Sequence, residues 1–456
     1  MVLKSINPYN EEILQEFTEN SKKEQEDIIK KSTKAFKNWR NTTFEKKSNL
    51  LKNISNILRK NKSKYAKLMT LEMGKPISQA EAEVEKCEWV CDFYSKNGYK
   101  FLKKELIKTD ADLSFIQYNP IGVILGIMPW NFPFWQVFRF AVPSLMAGNT
   151  VLLKHSSNVP QCALAIEDIF KKAGFKKDEF QNLLVSSNKI THIIEDDRIK
   201  AVSLTGSTDA GMKTAERTGK NIKKTVLELG GSDPFIVLDD SDLNYTVDMA
   251  IKARMINNGQ SCIAAKRFIV FDNIFDKFQE LLTEKINSLR VGDPLDKNID
   301  IGPLATEDGV EKIDKQVKKS VEMGARVLVG GKKPDFSGFF YLPTLITNIK
   351  KEMPVFNEET FGPVATTIKV KDEKEAIKIA NDTCYGLGAS IWTKDYKKAE
   401  KLSKYIKSGN VFINEIVKSD PRLPFGGIKK SGFGRELSHY GIKEFVNIQT
   451  VYIKKQ

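Results

Sequence analysis

The spacing of apolar residues divides the chain into a helical opening part and a longer part in which strands and helices alternate. Within 21–101, Ile28, Ile29, Ala35, Phe36 and Trp39 recur at roughly helical intervals, and Ser21 with Glu24 forms a capping-box pattern ahead of them. A second helix is predicted over about 44–59. A third leads to Met73-Gly74-Lys75-Pro76, where Gly and Pro give a stop, and 77–101 reads as one long helix. From Leu113 the period changes. Residues 114–118 alternate like a strand, and 122–127 is a short apolar run of buried-strand type. Further short runs at 151–153, 183–185 and 201–204 are separated by helical stretches, which predicts a parallel sheet covered on both faces. A second alternation starts near Pro234, with strands expected near 267–271, 326–329, 365–369, 387–392 and 410–413. The tail, 445–453, alternates with no helix to pair with it. It is expected to be an edge strand that joins the 114–118 ribbon or the sheet of a neighbouring subunit.

At 456 residues the chain exceeds what one core usually serves, so two or more domains are expected. The net charge of +14 comes from lysines spread over nearly every segment. No dense basic block with interleaved aromatics occurs, which argues against nucleic acid as a partner. The first twenty residues lack the order of a signal peptide. The most apolar run, 121–138, is interrupted by Pro129, Asn131 and Pro133 and is no membrane helix. Cys87, Cys91, Cys162, Cys262 and Cys384 are an odd, scattered set, and the three histidines show no metal-ligand spacing, so no metal is expected. Cys87 and Cys91, one helical turn apart, read as core. The expected location is cytoplasmic.

Six segments carry candidate chemistry. Asn257-Asn258-Gly259-Gln260-Ser261-Cys262 sets a thiol after a polar turn and just before a strand, where backbone N–H groups can lower its pKa and hold an oxyanion. Pro129-Trp130-Asn131-Phe132-Pro133 holds one carboxamide among aromatic side chains in a loop stiffened by two prolines. That group needs a partner, and a developing oxyanion would serve. Gly206-Ser207 opens a probable helix after a strand, a place where phosphate can approach backbone N–H groups. In Val226-Leu227-Glu228-Leu229-Gly230-Gly231 a carboxylate ends an apolar strand, where desolvation would raise its pKa towards that of a general base. The turn-rich 358–363 and 424–436 demand special backbone geometry that composition alone does not explain.

Taken together, the P-W-N-F-P loop, L-E-L-G-G, G-Q-x-C (262 − 228 = 34 residues after the glutamate), E-x-F-G-P and P-F-G-G-x-K-x-S-G-x-G-R-E resemble the aldehyde dehydrogenase superfamily over essentially the whole chain. Lys154-His155-Ser156-Ser157-Asn158, Ala264-Ala265-Lys266-Arg267-Phe268 and Ser438-His439-Tyr440-Gly441 most resemble the short bacterial-type succinate-semialdehyde dehydrogenases.

The resemblance implies an α/β aldehyde dehydrogenase fold. It has a Rossmann-like cofactor domain (1–101 and 121–230), an α/β catalytic domain (231–437) and a β-ribbon oligomerisation arm (102–120 and 438–456) that makes a homo-oligomer, dimer or tetramer. Cys262 is then the nucleophile that forms a thiohemiacetal and a thioester, Asn131 with the Cys262 N–H is the oxyanion hole, and Glu228 activates the hydrolytic water. Lys154 reaches the adenosine ribose and Ser207 the pyrophosphate, with Gly206 and Leu229 alongside. Glu359 takes the nicotinamide ribose, and Trp130 and Phe361 shape the nicotinamide site. Many NAD-preferring members carry a Glu at the position of Ser157. Serine there removes a charge that repels a 2′-phosphate, so NADP is expected to be preferred, with NAD accepted. Arg139, one turn after Trp135 on the same helix face, is expected to hold a distal carboxylate, with Ser261 and Ser419 as further donors. Succinate semialdehyde is the expected aldehyde. Glutarate or malonate semialdehyde, lactaldehyde, and coenzyme A in place of water as acyl acceptor stay open.

Overall fold

The structure, a computed structural model, describes residues 2–455. The opening helices form where the apolar spacing places them, at Lys22–Trp39, Phe44–Lys60, Lys62–Met73 and Ile77–Leu102. Ser21 and Glu24 make the reciprocal capping box, and Gly74 ends the third helix in the left-handed region at φ 78°, where glycine carries no side-chain penalty.

Two sheets carry the rest. The six-stranded sheet runs, in spatial order, Gly432–Phe433, Lys224–Glu228, Ile199–Thr205, Val123–Met128, Thr150–His155, Phe180–Asn182. Its last five strands are parallel. They reverse direction of winding at Val123–Met128, which is the doubly wound pattern. The seven-stranded sheet centres on Asp233–Val237, Ala265–Phe271 and Val364–Val370, all parallel. Val446–Ile453 pairs antiparallel with Leu113–Pro120 of its own chain, Thr450 opposite Ile116, so the tail joins the ribbon as one of the two expected arrangements.

Several strands depart from the sequence reading. The run expected at 183–185 lies just past the strand Phe180–Asn182, whose Gln181 and Asn182 are buried polar residues bonded to the Ile28 and Ala163 carbonyls. Hydrophobicity alone points to the wrong triplet there. Val2–Ile6 and Ile13–Thr18 form an antiparallel pair in a segment to which no element was assigned. Thr344–Thr347 is a further strand, parallel to Val364–Val370. Cys87, Cys91 and Cys162 are buried in the core, and no helix among the described residues is long and apolar enough to cross a membrane.

Candidate active site

The carboxyl ends of four parallel strands carry the segments that the sequence singles out. Met128 leads into Pro129-Trp130-Asn131, Lys154 and His155 into the turn at Ser157, and Thr205 into Gly206-Ser207, while Lys224–Glu228 ends on Glu228 itself. Ligands bind at this edge of a doubly wound sheet. The other sheet meets it with amino-terminal ends: Cys262 precedes Ala265–Phe271, and Glu359 precedes Val364–Val370.

Two cavities result. One of about 290 Å³ is lined by Trp130, Asn131, Gly206, Ser207, Glu228, Leu229, Cys262, Glu359 and Phe361. The other, about 450 Å³, is lined by Trp135, Arg139, Ser261, Cys262 and Ser419 among others. Among the described residues Cys262 alone lines both. Lys154 and Ser157 lie beyond the wall of the first cavity.

The loop bearing Asn131 is held by groups that the motif does not reveal. Glu83 accepts the backbone N–H groups of Phe134 and Trp135, each at 2.9 Å, and pairs with the fully buried Lys75. Lys75 also sits 4.2 Å from the Phe132 ring centroid. His155 Nε2 bonds the Pro133 carbonyl at 2.8 Å, and its Nδ1 accepts the Ser156 N–H. Burial pulls this imidazole down to about 4, so it is neutral. Asn131 itself donates to the Gln260 carbonyl at 3.1 Å, while its Oδ1 has no partner among the described residues. Glu83→Ala removes the counterion of a buried ammonium and two helix-start bonds together. It is expected to cost about 3 kcal/mol of stability, read from denaturant unfolding.

The turn before Cys262 is built from left-handed residues, Asn257 (φ 54°), Asn258 (φ 57°) and Gly259 (φ 74°). Asparagine tolerates that region because its side chain bonds nearby backbone. Asn257 donates to the carbonyls of Asn131 and Gln260, and Asn258 to those of Gly74 and Pro303. A side chain at Gly259 would strike the Gly362 carbonyl. The turn is therefore tied to both the loop bearing Asn131 and the segment after Glu359. Lys266 lies beneath it, donating to the Ser261 and Cys262 carbonyls at 2.8 and 2.7 Å.

The expectation of a lowered Cys262 pKa is corrected here. Burial pushes the thiol up to about 12, and the opposing charges of Lys266 and Arg139 do not overcome it. Glu228 behaves as the sequence reading expects: burial raises its pKa well above the usual carboxylate range, and Glu436 adds to this while Arg139 opposes it. Among the described residues neither Glu228 oxygen has a hydrogen-bond partner. Gly426 of the P-F-G-G motif packs against it, and a Cβ there would sit 2.8 Å from Oε1.

Across the smaller cavity, Glu359 accepts the Gly231 N–H at 2.9 Å and lies 3.9 Å from Lys266. A Cβ at Gly230 would crowd its carboxylate, which explains that glycine. Trp130 and Phe361 meet edge to face with ring centroids 5.7 Å apart. Ser207 caps the helix Thr208–Lys220 through the Ala210 N–H, and Leu229 packs over Gly211 of the same helix. Lys154 donates to Ser187 at 3.0 Å and has no carboxylate within 4.0 Å among the described residues. Burial pulls its ammonium down to about 8. The neighbouring Glu19 is already paired with Lys189.

Arg139 differs from the free channel cation that the helix spacing suggests. It is 2% exposed, its Nε pairs with Glu436, and its guanidinium lies 4.9 Å from the Phe425 ring centroid. Glu436, in the final G-R-E, escapes the sequence reading because only tertiary contact shows what it faces. Gln79, Glu83 and Lys86, on the helix Ile77–Leu102, also escape it, although their spacing (79, 83, 86) marks a polar stripe on one helix face that lines the larger cavity.

Comparison with known proteins agrees with this architecture. The model of the aldehyde dehydrogenase family matches residues 1–451. A probable NADP(+) succinate-semialdehyde dehydrogenase of Synechocystis sp. is 54% identical over 396 residues, covering 87% of each chain. The NADP(+) succinate-semialdehyde dehydrogenase of Mycobacterium leprae is 46% identical over 99% of this chain and 100% of its own. The crystal structure of the succinic semialdehyde dehydrogenase of Streptococcus pyogenes, in complex with NADP+ as the cofactor, superposes with a TM-score of 0.97 at 38% identity, covering 99% of this chain and 100% of its own. With its strands, its thiol turn and its two cavities arranged in this way, the chain belongs to the aldehyde dehydrogenase family.

Proposed function

We propose that this chain oxidises succinate semialdehyde to succinate with NADP+ and water, releasing NADPH and two protons. The observation that carries the reading is that one thiol, Cys262, lines both the cavity suited to a dinucleotide and the second cavity, where Lys86 places positive charge. Relatives that bear this activity in their names match most of the chain.

The residues present suit a nicotinamide dinucleotide. Ser207 and Gly206 stand at a helix start that favours a pyrophosphate, Glu359 lines the same cavity and suits a ribose, and Trp130 with Phe361 suits a flat ring. Lys154, without a carboxylate partner, and the neutral Ser157 favour a 2′-phosphate. When bound, the cofactor supplies the hydride acceptor. The chain's own residues supply the rest. Cys262 Sγ bonds the aldehyde carbon, and the Asn131 carboxamide with the Cys262 N–H stabilises the oxygen that becomes negative. Glu228 accepts a proton from the water that attacks the thioester, the C–S bond breaks, and the thiol is regenerated.

A kcat/KM panel tests the reading. Succinate semialdehyde with NADP+ is expected to exceed glutarate and malonate semialdehydes, lactaldehyde and butanal, with no requirement for coenzyme A. Another aldehyde ranking first, or turnover that needs coenzyme A, overturns it. Ser157→Glu is expected to lower the ratio of NADP to NAD efficiencies about 100-fold through repulsion of the 2′-phosphate. An unchanged ratio removes Ser157 from cofactor choice.

Exposed Leu106, Leu113, Ile448 and Tyr452 on the three-stranded ribbon suit burial against a second copy, as in a homodimer or tetramer. Five unpaired cysteines suit a reducing cytoplasm.

A further inference from the structure

The larger cavity holds more charge than the sequence motifs announce, and most of it is already engaged. Glu83 is taken by Lys75 and two backbone N–H groups. Asp300 faces Arg290, Lys418 pairs with Glu415, and Lys252 is exposed to solvent. Arg139 is offset by Glu436. Lys86 is different. Half-buried in the cavity wall, it has no carboxylate within 4.0 Å among the described residues, and its nearest polar partner is Ser419 Oγ at 2.8 Å. Its ammonium lies 4.5 Å from the Trp135 ring centroid.

Ser419 sharpens this. Its oxygen accepts from Lys86 Nζ and, at 3.1 Å, from Trp135 Nε1. Both lone pairs are then occupied, so the hydroxyl hydrogen has to be donated elsewhere. It has no acceptor among the described residues and borders the cavity. An ammonium with spare donors beside a hydroxyl obliged to donate is a receptor for an anionic oxygen pair.

We propose that Lys86, with the Ser419 hydroxyl that it orients, binds the carboxylate at the far end of the substrate and is the main determinant of charged over neutral aldehydes. Arg139 then forms the floor of the cavity, its charge balanced by Glu436. Burial pulls the Lys86 ammonium down to about 8, as expected for a cation that lacks a permanent counterion and gains one only with substrate.

The proposal rests on the substrate reading above, and the test separates the two. In the intact enzyme with NADP+, kcat/KM is measured for succinate semialdehyde and for butanal, which has the same carbon count and no charge. If the unmodified enzyme shows no preference for the acid, the substrate reading fails and the proposal with it. Given that preference, Lys86→Met is expected to lower the ratio of the two efficiencies about 30-fold, the size of one charge-assisted hydrogen bond. The loss should appear in KM for the acid, and Lys86→Arg should restore most of it. A preference that survives in Lys86→Met, or equal losses for both aldehydes, overturns the proposal alone and leaves Lys86 as packing over Trp135.

Discussion

Glu228→Gln is expected to slow steady-state turnover about 1000-fold, the usual loss on removing a positioned general base. One rapid equivalent of reduced cofactor per subunit should persist. The carboxylate is 2% exposed, neither oxygen is bonded, and Gly426 closes over it. In that setting water cannot stabilise the charge, so burial moves the pKa well up, with Glu436 reinforcing it and the guanidiniums of Arg139 and Arg435 pulling the other way. Glutamine keeps the shape and cannot take a proton, so acylation outruns hydrolysis and the thioester accumulates. The sign of the pH effect follows. A base works only when deprotonated, and a raised pKa moves the acidic fall of kcat to higher pH than an ordinary carboxylate would give. That limb should vanish in Glu228→Gln. Rapid-mixing measurement of cofactor reduction across pH checks both outcomes, and a steady state within about tenfold of the unmodified enzyme would place the base elsewhere.

Cys262→Ala should lower oxidation about 10⁵-fold, the scale of losing a covalent nucleophile, with NADP+ binding retained. The backbone of the turn does not depend on the thiol, because it is held by Asn257, Asn258 and Lys266. The alanine protein should therefore still show a cofactor-dependent rise in melting temperature. With its pKa pushed up to about 12, the resting group is a thiol, and the attack needs a base to remove its proton. Activity above about a hundredth of the unmodified enzyme would assign the chemistry to another group.

The elements most legible from sequence are those whose signal is local. Ser21 and Glu24 cap a helix because they are three residues apart. Phe180–Asn182 was misplaced because its polar side chains are satisfied by carbonyls distant in sequence, which no window of neighbours contains. The same division runs through the site. Cys262, Glu228, Asn131 and Glu359 stand out as reactive types in demanding backbone contexts, and all four line one cavity. Their electrostatics do not stand out. The thiol turn resembles one that lowers a pKa, yet burial raises it, and desolvation is a sum over the whole surrounding volume.

Arg139 and Lys86 state the limit most plainly. From sequence Arg139 is the charged residue one turn beyond Trp135, and Lys86 is one lysine among many. Folding brings Glu436, about 300 residues further along the chain, onto the arginine and leaves the lysine beside Ser419 without a counterion. The amino-acid sequence alone determined the family and the reactive residue types gathered at the site, because those rest on motif chemistry, and most of the strands and helices, because those rest on periodicity. Which cation is already neutralised and which remains available to a substrate was decided only by tertiary structure, because a charge is cancelled by what lies within a few ångströms in space, whatever the separation along the chain.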